Sequence, residues 1–199
     1  MPLLESEMPR DPLTLFGRWY AEAAAAGAPM PDAVALATVS ARGEPSARMV
    51  LLKGVEDGSF HFYTNYESRK GRDLAENRRA ALVFHWSVVR HQVRVSGTVR
   101  RLARAASAEY FHSRPRGAQL SALASRQSRV VRSRAVLEKA VLTLGARYPD
   151  EVPLGDDWGG YALRPRWIEF WESREDRLHD RVRYVRTRGT VWRRERLSP

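Results

Sequence analysis

The chain has 199 residues and a mass of 22.7 kDa, with 43% hydrophobic and 29% charged residues, a balance that fits one soluble globular unit with a core of its own. It contains no cysteine, which excludes disulfides, thiolate metal sites and cysteine nucleophiles, and no apolar run approaches the roughly 18–20 residues that span a bilayer. The net charge of +11 is compatible with phosphate-bearing partners, but interspersed acids make an ordinary arginine-rich surface the better account of charge alone.

Residues 1–10 carry Glu5 and Glu7 and no apolar stretch, so a secretory signal is not expected and a cytoplasmic location is. Asp11-Pro12 predicts a helix start, Asp as N-cap and Pro in the first turn, with Leu15, Phe16, Trp19, Tyr20 and Ala23 at helical spacing and Gly27 as the stop. Ala33–Val39 reads as a strand, 41–44 as a turn, and Ala47–Lys53 and Ser59–Thr64 as two more strands around a turn at 56–58. Ser68 can cap a short helix running to about Asn77. Ala80–Trp86 and Gln92–Leu102 read as strands. Ala105–His112 and Ser133–Arg147 read as helices, with a polar, arginine-rich stretch between them. Gly160–Leu163, Trp167–Trp171, Arg181–Arg186 and Thr190–Arg196 return to strands. Short strands joined by turns, with helices outside, predict an α+β antiparallel β-barrel.

Five constellations carry chemistry. In Arg48-Met49-Val50-Leu51-Leu52-Lys53, strand alternation puts Arg48, Val50 and Leu52 on one face and Met49, Leu51 and Lys53 on the other. In Tyr63-Thr64-Asn65-Tyr66-Glu67-Ser68-Arg69-Lys70, a strand ends in hydroxyls and a helix opens with two cations in its first turn. Cations oppose the helix dipole there, so an anion such as phosphate is expected beside them. Tyr110 and Arg114 are four apart and could clamp a phosphate from one helical face. Ser125-Arg126-Gln127-Ser128 offers several donors. Finally, after Ile168-Glu169-Phe170-Trp171, alternation groups Arg177, His179 and Arg181. Only three lysines occur, at 53, 70 and 139, and two lie in these motifs, where a compact ammonium rather than a guanidinium fork is expected to matter.

In this order the blocks Arg48–Lys53, Tyr63–Lys70, Tyr110–Arg116, Trp158-Gly159-Gly160 and Arg177–Arg181 resemble the pyridoxine/pyridoxamine 5′-phosphate oxidase family. The resemblance runs from Asp11-Pro12-Leu13-Thr14-Leu15-Phe16 to Arg196-Leu197-Ser198-Pro199. It implies a split β-barrel over 11–199 behind a short arm, 1–10, and a homodimer with FMN at the subunit interface. By that pattern FMN is held by Arg48, Met49, Val50, Leu51, Leu52, Lys53, Tyr63, Thr64, Ser68, Arg69, Lys70, Gln92, Gln127, Ser128, Trp171 and Arg181. Lys53, Tyr110 and Arg114 take the phosphate of a small pyridine substrate, and Arg177 and His179 lie against its ring. The implied reaction passes a hydride to the flavin and then electrons to O2, with hydrogen peroxide as product and no metal, nucleic acid or membrane involved.

Four positions depart from the family pattern: the arm before Asp11 is short, Met30 replaces a common acid, His91 a usual arginine, and Ala118 a usual serine. All four bear on substrate rather than FMN. Two alternatives stand beside the oxidase: a related flavin oxidase acting on another small molecule, like the phenazine-pathway relatives, and a non-catalytic basic protein binding cofactor or nucleic acid.

Overall fold

A computed structural model describes residues 3–199. Asp11 caps α1 (Pro12–Ala25), its Oδ1 accepting the Leu13 N–H at 3.0 Å. The helix buries Leu15, Phe16, Trp19 and Ala23 along one side. Phe16 meets Phe60 and Phe84 edge-on at 4.9 and 5.0 Å, while Trp19 meets Phe170 at 5.1 Å. Burying each such side chain contributes about 1.5–3 kcal/mol, so this face fixes α1 against the sheet. Trp19 also stacks on His91 at 3.8 Å. Burial holds the His91 imidazole below the ordinary histidine range, and this departure from the family pattern is part of the packing under α1.

The sheet is antiparallel throughout. Its strands are β1 (Ala33–Val39), β2 (Pro45–Leu51), β3 (Gly54–Glu56), β4 (Ser59–Asn65), β5 (Arg79–Trp86), β6 (His91–Arg101), β7 (Trp158–Glu172), β8 (Asp180–Arg186) and β9 (Trp192–Arg196). They run in the order β2-β1-β5-β6-β7-β4-β3, and β8 and β9 extend the sheet from the far part of β7. The sheet curls until Lys53, just past β2, donates its N–H to the His61 carbonyl of β4 at 2.8 Å. Phe60, Phe62, Phe84, Phe170 and Tyr184 fill the interior. The expected split barrel is therefore present.

Two expected strands, 160–163 and 167–171, are one. Pro165 sits at a bulge in β7, where Ser96 pairs with Trp167 and Gly97 with Pro165, leaving Arg166 without a partner. Proline is tolerated in a sheet at such a bulge, so it bends the strand rather than ending it.

Helix α2 (Arg69–Glu76) begins at Ser68 as expected. The arginine-rich middle holds α3 (Arg104–Ser113), an unexpected α4 (Arg116–Ala124) and α5 (Arg134–Arg147). A second apolar cluster of Phe111, Leu120, Val152 and Trp158 ties α3 and α4 to the start of β7. Among the described residues, no helix is long and apolar enough to cross a membrane.

Candidate active site

A cleft of about 1230 Å³ lies between the outer face of β2, the end of β4, and the α3–α4–α5 layer. It is lined by Met49, Val50, Leu51, Lys53, Tyr63, Thr64, Lys70, Tyr110, Arg114 and Gln127 from the sequence-derived set, together with Asn65, Ala118, Ser121, Trp158 and one side of α5. Alternation along β2 held: Arg48 and Val50 turn inward, while Met49 and Leu51 stand exposed on the cleft side.

Lys70 is the centre of the cationic end. The cap at Ser68 turns the chain so that Lys70, second in α2, points back toward β4. Its ammonium donates to Thr64 Oγ1 and Gln127 Oε1, both at 3.0 Å, and to Ser68 Oγ at 3.5 Å. These partners are neutral, and among the described residues no carboxylate pairs with it. It is only 7% exposed, and burial, with the nearby Arg48 charge second, pulls its pKa down to about 8. Gly71 permits this approach: a Cβ there would lie 2.1 Å from the Tyr66 carbonyl oxygen.

At the other end, Tyr63 and Tyr110 stack at 4.0 Å, with Trp158 5.6 Å from Tyr63. Arg114 lies over Trp158, 5.0 Å from the ring centre. Its Nη1 is buried with no hydrogen-bond partner among the described residues, and burial lowers its pKa. Lys53 pairs with Asp32 at 3.0 Å. The expectation that Tyr110 and Arg114 share a helical face needs correction. Arg114 is the extended residue that ends α3, because the residue before Pro115 is pushed out of helical geometry; both side chains reach the cleft nonetheless.

The remaining sequence-derived residues stand elsewhere. Arg48 is engaged inward, with Nη1 on Thr38 Oγ1 at 2.7 Å and Nη2 on Ser46 Oγ at 2.7 Å, 3.7 Å from Asp73. Leu52 is in the core and Ser68 is the α2 cap. Arg69 turns out toward Glu44 at 3.9 Å, and Ser128 is exposed at φ +69°.

Gln92, Trp171 and Arg181 form one row across β6, β7 and β8, away from the cleft lining. Arg177 and His179 belong with that row but not to its strands. They lie in the loop between β7 and β8, Arg177 at φ +63°, so the expected alternation of Arg177, His179 and Arg181 on one strand face does not hold. A left-handed residue breaks the period of two. His179 leans on Trp171, ring centres 4.9 Å apart.

Some supporting residues carried no role in the sequence reading. Asn65 donates to Asp157 at 2.6 Å and accepts the Glu67 N–H at 2.7 Å, shaping the turn into α2. Glu169 is 3% exposed on the outer face of β7. It accepts from Arg181 Nε and Nη2 at 3.1 and 2.8 Å and from Arg94 at 3.2 Å. Both residues stood within quoted motifs, but their partners are distant in sequence.

Comparison with known proteins gives a consistent result. Residues 20–147 match the family described as pyridoxamine 5′-phosphate oxidase, and residues 158–199 match the pyridoxine 5′-phosphate oxidase C-terminal dimerisation region. The chain is 55% identical over 192 residues to a pyridoxine/pyridoxamine 5′-phosphate oxidase of Salinibacter ruber, covering 95% of this chain and 89% of that one. It is 50% identical to the protein of the same name from Cupriavidus taiwanensis, covering 99% and 93%. Among solved structures, PhzG from Burkholderia lata 383, in complex with tetrahydrophenazine-1-carboxylic acid, superposes with a TM-score of 0.92 at 32% identity, covering 98% and 95%.

Proposed function

The chain belongs to the pyridoxamine 5′-phosphate oxidase family of oxidoreductases, and from that premise we propose that it binds FMN and oxidises pyridoxine or pyridoxamine 5′-phosphate to pyridoxal 5′-phosphate. The observation that carries the cofactor is Lys70: a buried ammonium facing a cleft, with only neutral acceptors around it. An uncompensated buried charge is costly, and a phosphate oxygen supplies the missing anion. The cleft volume exceeds the roughly 300–1,000 Å³ of a single small-molecule site, which leaves room for cofactor and substrate side by side.

In this reading Lys70, Thr64 and Gln127 hold the FMN phosphate end, with Arg48, Ser68 and Arg69 behind them, and Met49–Lys53 and Tyr63 run alongside. FMN, when bound, supplies the acceptor for the hydride leaving the substrate's C4′ carbon and passes the electrons to O2, giving hydrogen peroxide and, directly or after hydrolysis, the aldehyde. Arg114, whose buried Nη1 lacks a partner, takes the substrate phosphate with Tyr110 and Lys53. The Tyr63–Tyr110–Trp158 stack makes an apolar wall that keeps water from that end. Gln92, Trp171, Ser128, Arg177, His179 and Arg181 complete the site when a second copy docks, and exposed Met49, Leu51 and Leu142 beside the cleft are apolar surface for that contact. A homodimer with the cofactor at its interface follows.

The test is direct. The purified protein should be yellow and dimeric by light scattering, and should form aldehyde and peroxide from both phosphorylated vitamers. A colourless protein that takes up no added FMN sinks the reading. A second reading, a flavin oxidase for an unphosphorylated ring, is favoured by the likeness to PhzG and by the methyl group of Ala118 in the cleft. Faster turnover of unphosphorylated pyridoxine than of its phosphate would select it.

A further inference from the structure

The loop between β7 and β8 closes on itself at Arg174. The Arg174 backbone N–H donates to His179 Nδ1 at 3.0 Å. Its guanidinium grips the next residue, Nε and Nη2 both 2.7 Å from Asp180 Oδ2. Asp180 is 6% exposed and is held from the other side by Arg196 Nη1 at 2.8 Å and the Leu3 N–H at 3.3 Å. Within the loop, the Arg177 N–H reaches the Arg174 carbonyl at 3.3 Å, and the Leu178 N–H reaches Asp176 Oδ1 at 3.0 Å. His179 is thus fixed from both its backbone neighbours and its own ring.

A backbone N–H can only donate, so the ring nitrogen it faces must carry a lone pair. Neutral imidazole has one N–H and one lone pair. With Nδ1 accepting, the proton sits on Nε2, which has no protein partner among the described residues. We propose that Arg174 is a positioning residue that fixes His179 in its Nε2–H form, so that His179 meets the substrate as a hydrogen-bond donor and not as a proton acceptor. The proposal rests on the reading above that His179 lies against the substrate ring, where the ring nitrogen or the hydroxyl oxygen attached to the ring offers a lone pair for the bond. A general base would need its lone pair on the outward nitrogen, and the loop spends that lone pair inward. No sequence pattern marks Arg174, which contributes through its amide to the tautomer and through its guanidinium to the loop that aims the ring.

Long-range ¹H–¹⁵N NMR of the FMN-loaded protein reads the tautomer directly, with His179 assigned by the signals lost in His179→Gln. The wild type should show Nδ1 unprotonated and Nε2 protonated at neutral pH. Arg174→Ala keeps the amide but frees the loop from Asp180, so the amide should no longer be held on Nδ1: mixed tautomers and a loss of about three- to tenfold in kcat/KM are expected, roughly the effect of one neutral hydrogen bond, with FMN content unchanged. Arg174→Lys, which keeps a cation for Asp180, should recover most of both. His179→Gln, whose amide can donate from near the Nε2 position, should outperform His179→Asn. An Nδ1–H or doubly protonated ring in the wild type overturns the proposal, and so does an Arg174→Ala protein with wild-type tautomer and rate. If the wild type oxidises neither vitamer, the oxidase reading fails with it, while the NMR still decides the tautomer.

Discussion

Titrating FMN affinity against pH tests the cationic end of the cleft. Free Lys70 has a pKa near 8, lowered first by burial and then by Arg48, whereas the bound phosphate needs the ammonium. Below about pH 7 the amine is already almost fully charged and affinity is flat on this account. Above it, each binding event must recruit a proton. With a pKa of 8, about 90% of the amine is charged at pH 7 and about 3% at pH 9.5, so the dissociation constant should rise about 30-fold across that range. Quenching of FMN fluorescence by apoprotein at fixed ionic strength measures it. Lys70→Met should bind about 10- to 100-fold more weakly at pH 7, the loss of one charged hydrogen-bonding group, and show no slope. The free protein should respond with the opposite sign. Between about pH 8 and the ordinary lysine value the unfolded chain keeps a proton that the folded one has lost, so rising pH favours folding, by no more than about 3 kcal/mol from this group. A wild-type affinity independent of pH, or an equal slope in Lys70→Met, would refute the assignment of Lys70 to the phosphate.

Gly71→Ala should lower stability by about 1–3 kcal/mol in urea melts and release FMN, because the added methyl overlaps the Tyr66 carbonyl and displaces the first turn of α2. Glu169→Ala leaves Arg94 and Arg181 facing each other without the carboxylate between them. Both arginines are partly solvated, so the expected cost is about 1–3 kcal/mol, read by chemical denaturation. Arg177→Ala should lower kcat/KM for pyridoxine 5′-phosphate by about 100-fold through lost orientation while FMN stays bound; a change within twofold removes Arg177 from the site. Ala118→Ser should lower KM for the phosphorylated substrate about three- to tenfold through a new hydroxyl in the cleft, with kcat little changed, and an unchanged KM would mean that the substrate phosphate lies elsewhere.

What was legible in the chain was what is local. The caps at Asp11 and Ser68 announce α1 and α2 because each satisfies free N–H groups two or three residues on. Alternation in β2 sorted its side chains correctly because the strand has one inner and one outer face. The failures share a cause in tertiary context. In α4 the buried positions are Gln119 and Leu120, and Gln119 is buried because it donates to the carbonyls of His112 and Arg114. A polar side chain satisfied in this way leaves no apolar period to read. Pro165 looked like a break between strands because the bulge that accommodates it is made with β6. The spacing of Arg177, His179 and Arg181 implied a strand face, but one left-handed residue made it a loop. Asn65 needs Asp157, and Glu169 needs Arg94, and neither pairing can be inferred from spacing.

The scarcity of lysine acquires a physical meaning at Lys70. Of the 34 lysines and arginines, all but three are arginines, whose guanidinium keeps its charge throughout the accessible pH range. An arginine at position 70 would place a planar five-donor group where Thr64, Gln127 and Ser68 converge on one nitrogen, and its fork would leave donors unmet until a ligand arrived. An ammonium points three hydrogens from one atom, two along the 3.0 Å contacts to Thr64 and Gln127 and the third along the long 3.5 Å contact to Ser68, the one a phosphate oxygen could take over. Its lowered pKa also lets it shed the proton above about pH 8 when the cleft is empty, which limits the cost of holding a cation in the interior under those conditions. Near neutral pH the group is therefore mostly charged already, and in the proposed reading a bound phosphate completes that charging. Arg114, half-buried with one buried nitrogen that has no hydrogen-bond partner among the described residues, has no such escape. Its cost is offset by cation–π contact with Trp158 and Phe111; in the proposed reading an anion completes it at the substrate end of the cleft, while Lys70 at the cofactor end holds a charge that is lost only as pH rises.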